Sequence, residues 1–111
     1  MNFKVVTLPN FEREAKRLGK KYRSLKNDLA ELISSLEKNP QQGTSIGNGF
    51  YKVRMAISSK GKGKSGGARV ITFVLVVKEM VYLSSIYDKS EKATITNDEL
   101  MFLAREISMI Q

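Results

Sequence analysis

The 111-residue chain contains no cysteine and no histidine. The first absence excludes a disulfide framework, a thiolate metal site and a cysteine nucleophile; the second removes the commonest catalytic base and metal ligand. Any chemistry must run on Lys, Arg, Tyr, Ser or carboxylates. Long apolar runs are lacking too: the longest, residues 70–77, is interrupted by Thr72 and has strand length, well short of the roughly 18 residues of a membrane span. The opening Met-Asn-Phe-Lys-Val-Val passes straight into strand-like sequence rather than a secretory signal, so a cytoplasmic location with no membrane attachment is expected. Acidic residues are the minority, 11 against 19 Lys plus Arg, and the formal net charge of +8 favours an anionic partner. What remains, 41% hydrophobic and 27% charged, is an ordinary globular composition, long enough for one core and one domain over residues 1–111.

Along the chain, Phe-Lys-Val-Val-Thr-Leu at 3–8 is rich in strand formers and stops at Pro9, which predicts a short edge strand. Asn10 then reads as a helix cap. Phe11, Ala15, Leu18 and Tyr22 fall on one helical face, with Arg13, Lys16, Arg17, Lys20 and Lys21 mostly on the others, so this helix is amphipathic and basic. Gly19 weakens or ends it before a second helix begins near Ser24, whose stripe is Leu25, Leu29, Leu32, Ile33 and Leu36 and whose end is Asn39-Pro40. Residues 40–49, with Gly43, Gly47 and Gly49, read as a loop. Beyond it, Tyr51, Val53, Met55 and Ile57 alternate with Phe50, Lys52, Arg54 and Ala56, giving one apolar face and one that carries two cations. Residues 69–77 are apolar on both faces apart from Arg69 and Thr72, as for a central strand. Lys78-Glu79 reverses the chain into a strand over 80–89. The last helix opens on a capping box, Thr96 and Glu99, with Ile95 and Leu100 as hydrophobic staple, and its face of Leu100, Leu103, Ala104, Ile107 and Ile110 should pack on the sheet or a partner. The order β-α-α-β-β-β-α predicts an α+β domain: an N-terminal strand and helical hairpin on a small, mainly antiparallel four-stranded sheet, closed by a C-terminal helix.

Chemistry concentrates in residues 50–89. Two apolar strands flank Lys60-Gly61-Lys62-Gly63-Lys64-Ser65-Gly66-Gly67, where glycines permit close backbone approach to a polyanion and lysines supply charge. Gly61, Gly63 and Gly66 match G-x-G-x-x-G, but the dinucleotide motif needs a helix N-terminus after it and here a strand follows. A kinase glycine loop does lie between strands, yet the catalytic-loop and D-F-G motifs are missing, and Gly-Lys-Ser at 63–65 lacks the first glycine of a phosphate-binding loop, Ser58 standing in its place. Taken alone the lysines read as a solvated hairpin tip. Convergence argues otherwise: Arg54 and Arg69 flank the loop, and Tyr87 and Lys89 end a third strand. Arg69, adjoining a buried strand, needs an anion or a carboxylate such as Asp88 or Glu91.

With these residues in view the chain resembles the RelE/ParE toxin superfamily, in particular the HigB-like branch of toxin-antitoxin ribonucleases. The likeness spans nearly the whole chain: the N-terminal strand and helical hairpin, Tyr51-Lys52-Val53-Arg54, then Gly61-Lys62-Gly63-Lys64-Ser65-Gly66-Gly67-Ala68-Arg69-Val70-Ile71, then Val81-Tyr82-Leu83 leading to Ile86-Tyr87-Asp88-Lys89-Ser90-Glu91. The resemblance implies a RelE-like toxin that cleaves mRNA in the ribosomal A site and is neutralised by a cognate antitoxin, with mRNA, ribosomal RNA and the antitoxin as partners and no cofactor or metal. By position it implies catalytic roles for Arg54, Lys64, Arg69, Tyr87 and Lys89, and RNA binding by Lys52, Lys60, Lys62, Lys64 and Lys92. Some relatives use His, or a Tyr in the C-terminal helix; this chain has neither, so general acid and base are left open. Two other readings fit the same residues: a gyrase-poisoning toxin of the ParE branch, and a basic nucleic-acid-binding module without chemistry.

Overall fold

Pro9 decides where the first helix begins. Proline is favoured at the first helical position, where its missing N–H costs nothing. In the computed structural model, which describes residues 2–110, Leu8 is accordingly the extended N-cap and α1 runs Pro9–Lys21. Asn10, expected as the cap, lies inside the helix instead. Gly19 does not end α1; the break falls at residues 22–24, and α2 covers Leu25–Lys38. Strand β1, Lys4–Thr7, precedes the pair.

After α2 the chain forms β2 (Thr44–Gly47), β3 (Phe50–Met55), β4 (Ala68–Leu75), β5 (Met80–Asp88) and α3 (Asn97–Ile110). The α+β class and element order follow the expectation, but the sheet has five strands in the order β1-β5-β4-β3-β2, only the β1–β5 pair being parallel. The additional strand, β2, lies in the segment that reads as a loop. It contains one apolar residue, Ile46, too little alternation to mark a strand, and is held by pairing with β3, Thr44 opposite Lys52 and Ser45 opposite Tyr51. At the far end β4 stops at Leu75 rather than continuing through Val77: Val76–Lys78 is a 3-10 turn, both valines are exposed, and Glu79 turns the chain at φ 54°.

The two faces of the sheet carry separate cores. On one, Leu18, Leu25 and Leu36 of the helical hairpin pack on Val53, Val70, Val81, Leu83 and Ile86. On the other, α3 lays Leu103 and Ile107 over Phe50, Ile71 and Tyr82. Strand β1 reaches only as far as the Thr7–Leu83 pair, which leaves the edge of β5 open beyond it. Helix α1 closes that edge: Asn10 Nδ2 donates to Ser84 O at 3.0 Å, and Glu14 Oε1 accepts from Ser85 Oγ at 2.8 Å and Ile86 N at 3.2 Å. This is why Asn10 is buried, since a backbone carbonyl removed from water needs a donor.

Both bonds of the capping box form at the start of α3, Thr96 N to Glu99 Oε1 at 2.8 Å and Glu99 N to Thr96 Oγ1 at 3.1 Å. Thr96→Ala removes the hydroxyl half. The expected cost is about 1 kcal/mol, which in a domain near this size lowers the melting temperature by roughly 4–8 °C; circular-dichroism melts of the two proteins check it.

Candidate nucleic-acid interface

Strand register builds the site. Arg54 stands directly opposite Arg69, and Arg69 directly opposite Tyr87, so a row of three side chains crosses β3, β4 and β5 on one face. Lys52, two residues before Arg54, shares that face. This is the α3 side of the sheet, where Tyr87 joins the second core. Two like charges placed opposite each other repel. Among the described residues neither arginine has an ion-pair partner.

Arg69 is only 7% exposed. Its Nη1 donates to Lys64 O at 3.0 Å and Ala68 O at 3.1 Å, while Nε and Nη2 make no hydrogen bond among the described residues. The two carboxylates that sequence places within reach are taken elsewhere: Asp88 by Lys60 at 2.9 Å, Glu91 by Arg17 at 2.8 Å and Lys21 at 3.0 Å. A guanidinium withdrawn from water without a counter-charge costs free energy. An anion at this position would remove that cost.

The loop before β4 is held at both ends. Its first turn, Ser58–Lys60, is clamped to α2 by buried Asp28, which accepts from Ser58 N (3.0 Å), Ser58 Oγ (2.6 Å) and Ser24 Oγ (2.8 Å). Gly67 closes the other end, where a Cβ would lie 2.2 Å from Met55 O, so only glycine lets the returning chain rest against the end of β3. Lys64 O accepts both Gly67 N (3.2 Å) and Arg69 Nη1, which ties the loop backbone to the arginine while the Lys62 and Lys64 side chains stay exposed.

At the end of β5 the expected residues divide. Tyr87 is buried, its hydroxyl makes no well-formed hydrogen bond among the described residues, and burial raises its pKa against the pull of Thr94, Arg69 and Lys92. Lys92 lies over the Tyr87 ring at 5.0 Å from the centroid and pairs with Glu99. Lys89 donates from its backbone to Gly67 O at 3.0 Å and from Nζ to Ala93 O at 2.7 Å. Lys60, expected to face phosphate with the other loop lysines, is turned inward: its side chain is 10% exposed and its ammonium pairs with fully buried Asp88. Asp88 needs that partner, and also accepts from Tyr22 OH, Ser90 N (2.9 Å) and Ser90 Oγ (2.8 Å). Arg54, Arg69, Tyr87 and Lys89 are thus gathered at one end of the sheet beside Lys62 and Lys64, with Lys52 lower on β3, Lys92 as a cover and Lys60 serving the interior.

Of the two buried carboxylates that hold this arrangement, the sequence suggests Asp88 only as a partner for Arg69, whereas it pairs with Lys60, and Asp28 draws no notice. The signals exist: Asp28 falls on the apolar stripe of α2, three after Leu25 and four before Leu32, and Asp88 ends a strand that is otherwise apolar or hydroxylic. Burial alone would push both carboxyl pKa values up, but the donors outweigh it: Tyr22, Ser90 and Lys60 hold Asp88 far below the usual carboxylate range, and Ser58 and Ser24 lower Asp28. A folded pKa below the unfolded one, about 3.9 for Asp, stabilises the protein fully above the unfolded value and is lost as pH falls toward the folded value. Melting temperature is therefore expected to hold between about pH 5 and 7 and to drop steeply below about pH 4, more steeply than in an Asp28→Asn variant; thermal melts across that series check it.

Residues 4–110 match the family described as RelE toxin of RelE / RelB toxin-antitoxin system. The chain belongs to the RelE toxin family. Two solved structures share the fold of this RelE-family toxin. One is an arginine-to-alanine double mutant of E. coli toxin RelE in the free state, with TM-score 0.60 and 16% identity, covering 84% of this chain and 90% of that one. The other is the toxin-antitoxin complex RelBE2 from Mycobacterium tuberculosis, with TM-score 0.59 and 14% identity, covering 79% of this chain and 99% of that one. Among the described residues of this RelE-family chain, no helix is long and apolar enough to cross a membrane.

Proposed function

We propose that this toxin is an endoribonuclease that cuts mRNA in the ribosomal A site and so stops translation in the cytoplasm. The observation that carries the reading is Arg69, a buried guanidinium with no carboxylate partner among the described residues, facing a second arginine across the sheet beside two exposed loop lysines. Phosphate is the anion that suits it, because a planar fork binds two phosphate oxygens at once. Lys52, Lys62 and Lys64 extend the positive surface along the RNA backbone, and a formal charge of +8 speeds the encounter.

In the proposed reaction the ribose 2′-OH attacks the adjacent phosphorus, the bond to the 5′-oxygen breaks, and the products are a 2′,3′-cyclic phosphate and a 5′-OH end. Arg69, with Arg54 across the ladder, stabilises the charge that builds on the non-bridging oxygens. Tyr87 stands opposite Arg69 as the position for the donor of a proton to the leaving oxygen; burial makes its hydroxyl harder to ionise, and the charge of Arg69 works against that effect. Lys64 and Lys89 are the positions for the group that removes the 2′ proton. The Tyr87 hydroxyl is buried in the free chain and Lys92 lies over its ring, so RNA reaches it only if the residues between β5 and α3 give way.

The proposed protein partner is a cognate antitoxin, on the precedent of the RelBE2 complex. An antitoxin that presents carboxylates to the loop, or covers it, would silence the site. Primer extension on transcripts from cells expressing the chain tests the reading. Discrete internal cuts in translated messages support it, whereas growth arrest with intact transcripts indicates a gyrase poison, and binding without arrest a non-catalytic module.

A further inference from the structure

Strand β2 stops pairing with β3 at Lys52, and beyond that point an open cleft of about 290 Å³ lies between α2, the end of β3 and the glycine-rich loop. Arg54 and Lys64 line it from the strand and the loop, Glu31 and Gln42 from the helix side, and buried Leu32 and Met55 add apolar lining. Arg54 and Lys64 belong to the phosphate-facing surface as well, so the cleft continues that surface around the sheet edge.

Its charges are unspent. Glu31 is exposed and makes neither an ion pair nor a hydrogen bond among the described residues, although it lines the same cleft as two cations. The Gln42 amide is oriented by donating through Nε2 to Ser35 Oγ (2.9 Å) and Asn39 O (3.0 Å), which leaves Oε1 an acceptor without a partner among the described residues. Asp28, the other carboxylate on the cleft, is occupied by Ser24 and Ser58.

The geometry points to this cleft as the pocket for one nucleobase of the bound RNA, read by Glu31 and Gln42 through an exocyclic amino group. The inference rests on the RNA-binding reading of the Arg54 and Lys64 surface. Charge sorts the two ends of a nucleotide: the phosphate belongs with Arg54 and Lys64 on the rim, and the carboxylates repel it from the interior. The volume lies near the lower limit of ligand sites, about 300 Å³, which suits a base rather than a base with its sugar and phosphate. An apolar lining supports a splayed-out base, as single-stranded RNA recognition requires. With Arg54 and Lys64 left to the phosphate, the two open acceptors of Glu31 and Gln42 select the base: adenine, cytosine and guanine each carry an NH₂ group, and a carboxylate accepting from cytosine N4 is a recurrent contact. Uracil has none, and in the pose that aims cytosine N4 at Glu31 it would set its 4-oxygen against the carboxylate. A site built around such a bond discriminates strongly against the base that lacks it.

Two measurements test this. Cleavage sites of the wild type, mapped on many transcripts, should show uracil depleted at one fixed position relative to the cut. In Glu31→Gln, whose amide can donate to a uracil carbonyl, the depletion should relax by about tenfold, the effect of roughly 1.4 kcal/mol within the range of one good base contact. An unchanged base distribution overturns the inference while leaving the ribonuclease in place. Independently of cleavage, 5′-CMP titrated into the wild-type protein should shift the methyl resonances of Leu32 and Met55 saturably, with 5′-UMP at least tenfold weaker and the preference lost in Glu31→Gln. Methyl signals that ignore CMP, or respond equally to UMP, overturn it. Uncut transcripts together with a CMP-selective cleft would remove the proposed reaction and keep the pocket.

Discussion

Replacing Arg69 by lysine is expected to lower RNA cleavage by roughly 10²–10³-fold, the range lost when a donor to developing oxyanion charge is removed. The substitution keeps a positive charge, so a purely electrostatic role would survive it. What it removes is the fork: a guanidinium can hold Lys64 O and Ala68 O through Nη1 and still present Nε and Nη2 to a phosphate, whereas an ammonium must divide three donors between the same duties. Arg69→Ala should lose at least as much. Primer extension on a fixed message, timed after addition of purified toxin to translating ribosomes, gives the rates, and a thermal melt shows whether the fold persists. Full cleavage by Arg69→Ala would remove Arg69 from the mechanism.

Asp88→Ala is expected to be the most damaging single change to stability. It strips the partner from a side chain that is 10% exposed, the Lys60 ammonium, and also leaves the Tyr22 hydroxyl and Ser90 without their acceptor. Breaking a buried pair from one side costs about 3–5 kcal/mol, a large part of the 5–15 kcal/mol typical of a domain. The corresponding fall in melting temperature is about 12 °C or more. Removing both charges is gentler, because no ion is stranded: Asp88→Leu with Lys60→Met should melt well above Asp88→Leu alone, and the cycle of wild type, Asp88→Leu, Lys60→Met and the double variant isolates their coupling. A melting temperature within about 2 °C of wild type for Asp88→Ala would show that Lys60 finds water at little cost.

The parts of the fold that sequence disclosed were those written in local signals. The Thr96–Glu99 box fixes the start of α3 with residues three apart, the stripes of α1 and α2 repeat every three or four, and β4 announces itself as an apolar run. Strand β2 depends on β3 for its existence, and nothing within Thr-Ser-Ile-Gly states that dependence. Asn10 has the chemistry of a cap and is drawn into α1 because Pro9 takes the first position and Ser84 needs a donor. In the site, the chain order brings Arg54, Arg69 and Tyr87 to the strand ends around the loop, but their alignment in one row is set by the pairing register of β3, β4 and β5, which no single strand carries. The lysines were harder. Lys60, Lys62 and Lys64 look equivalent along the chain, and only the tertiary position of Asp88 separates the one that turns inward from the two that do not.

The parallel pairing of β1 with β5 bears on when the toxin comes into being. Residues 4–7 find their sheet partners at 80–83, and α1 closes the same strand through Ser84 and Ile86. During synthesis neither the first strand nor the first helix has its proper seat until nearly three quarters of the chain has been made. Contacts so distant along the chain form late. A nascent toxin therefore stays incomplete on the ribosome that is making it, and Arg69 acquires its setting only after β5 has been translated.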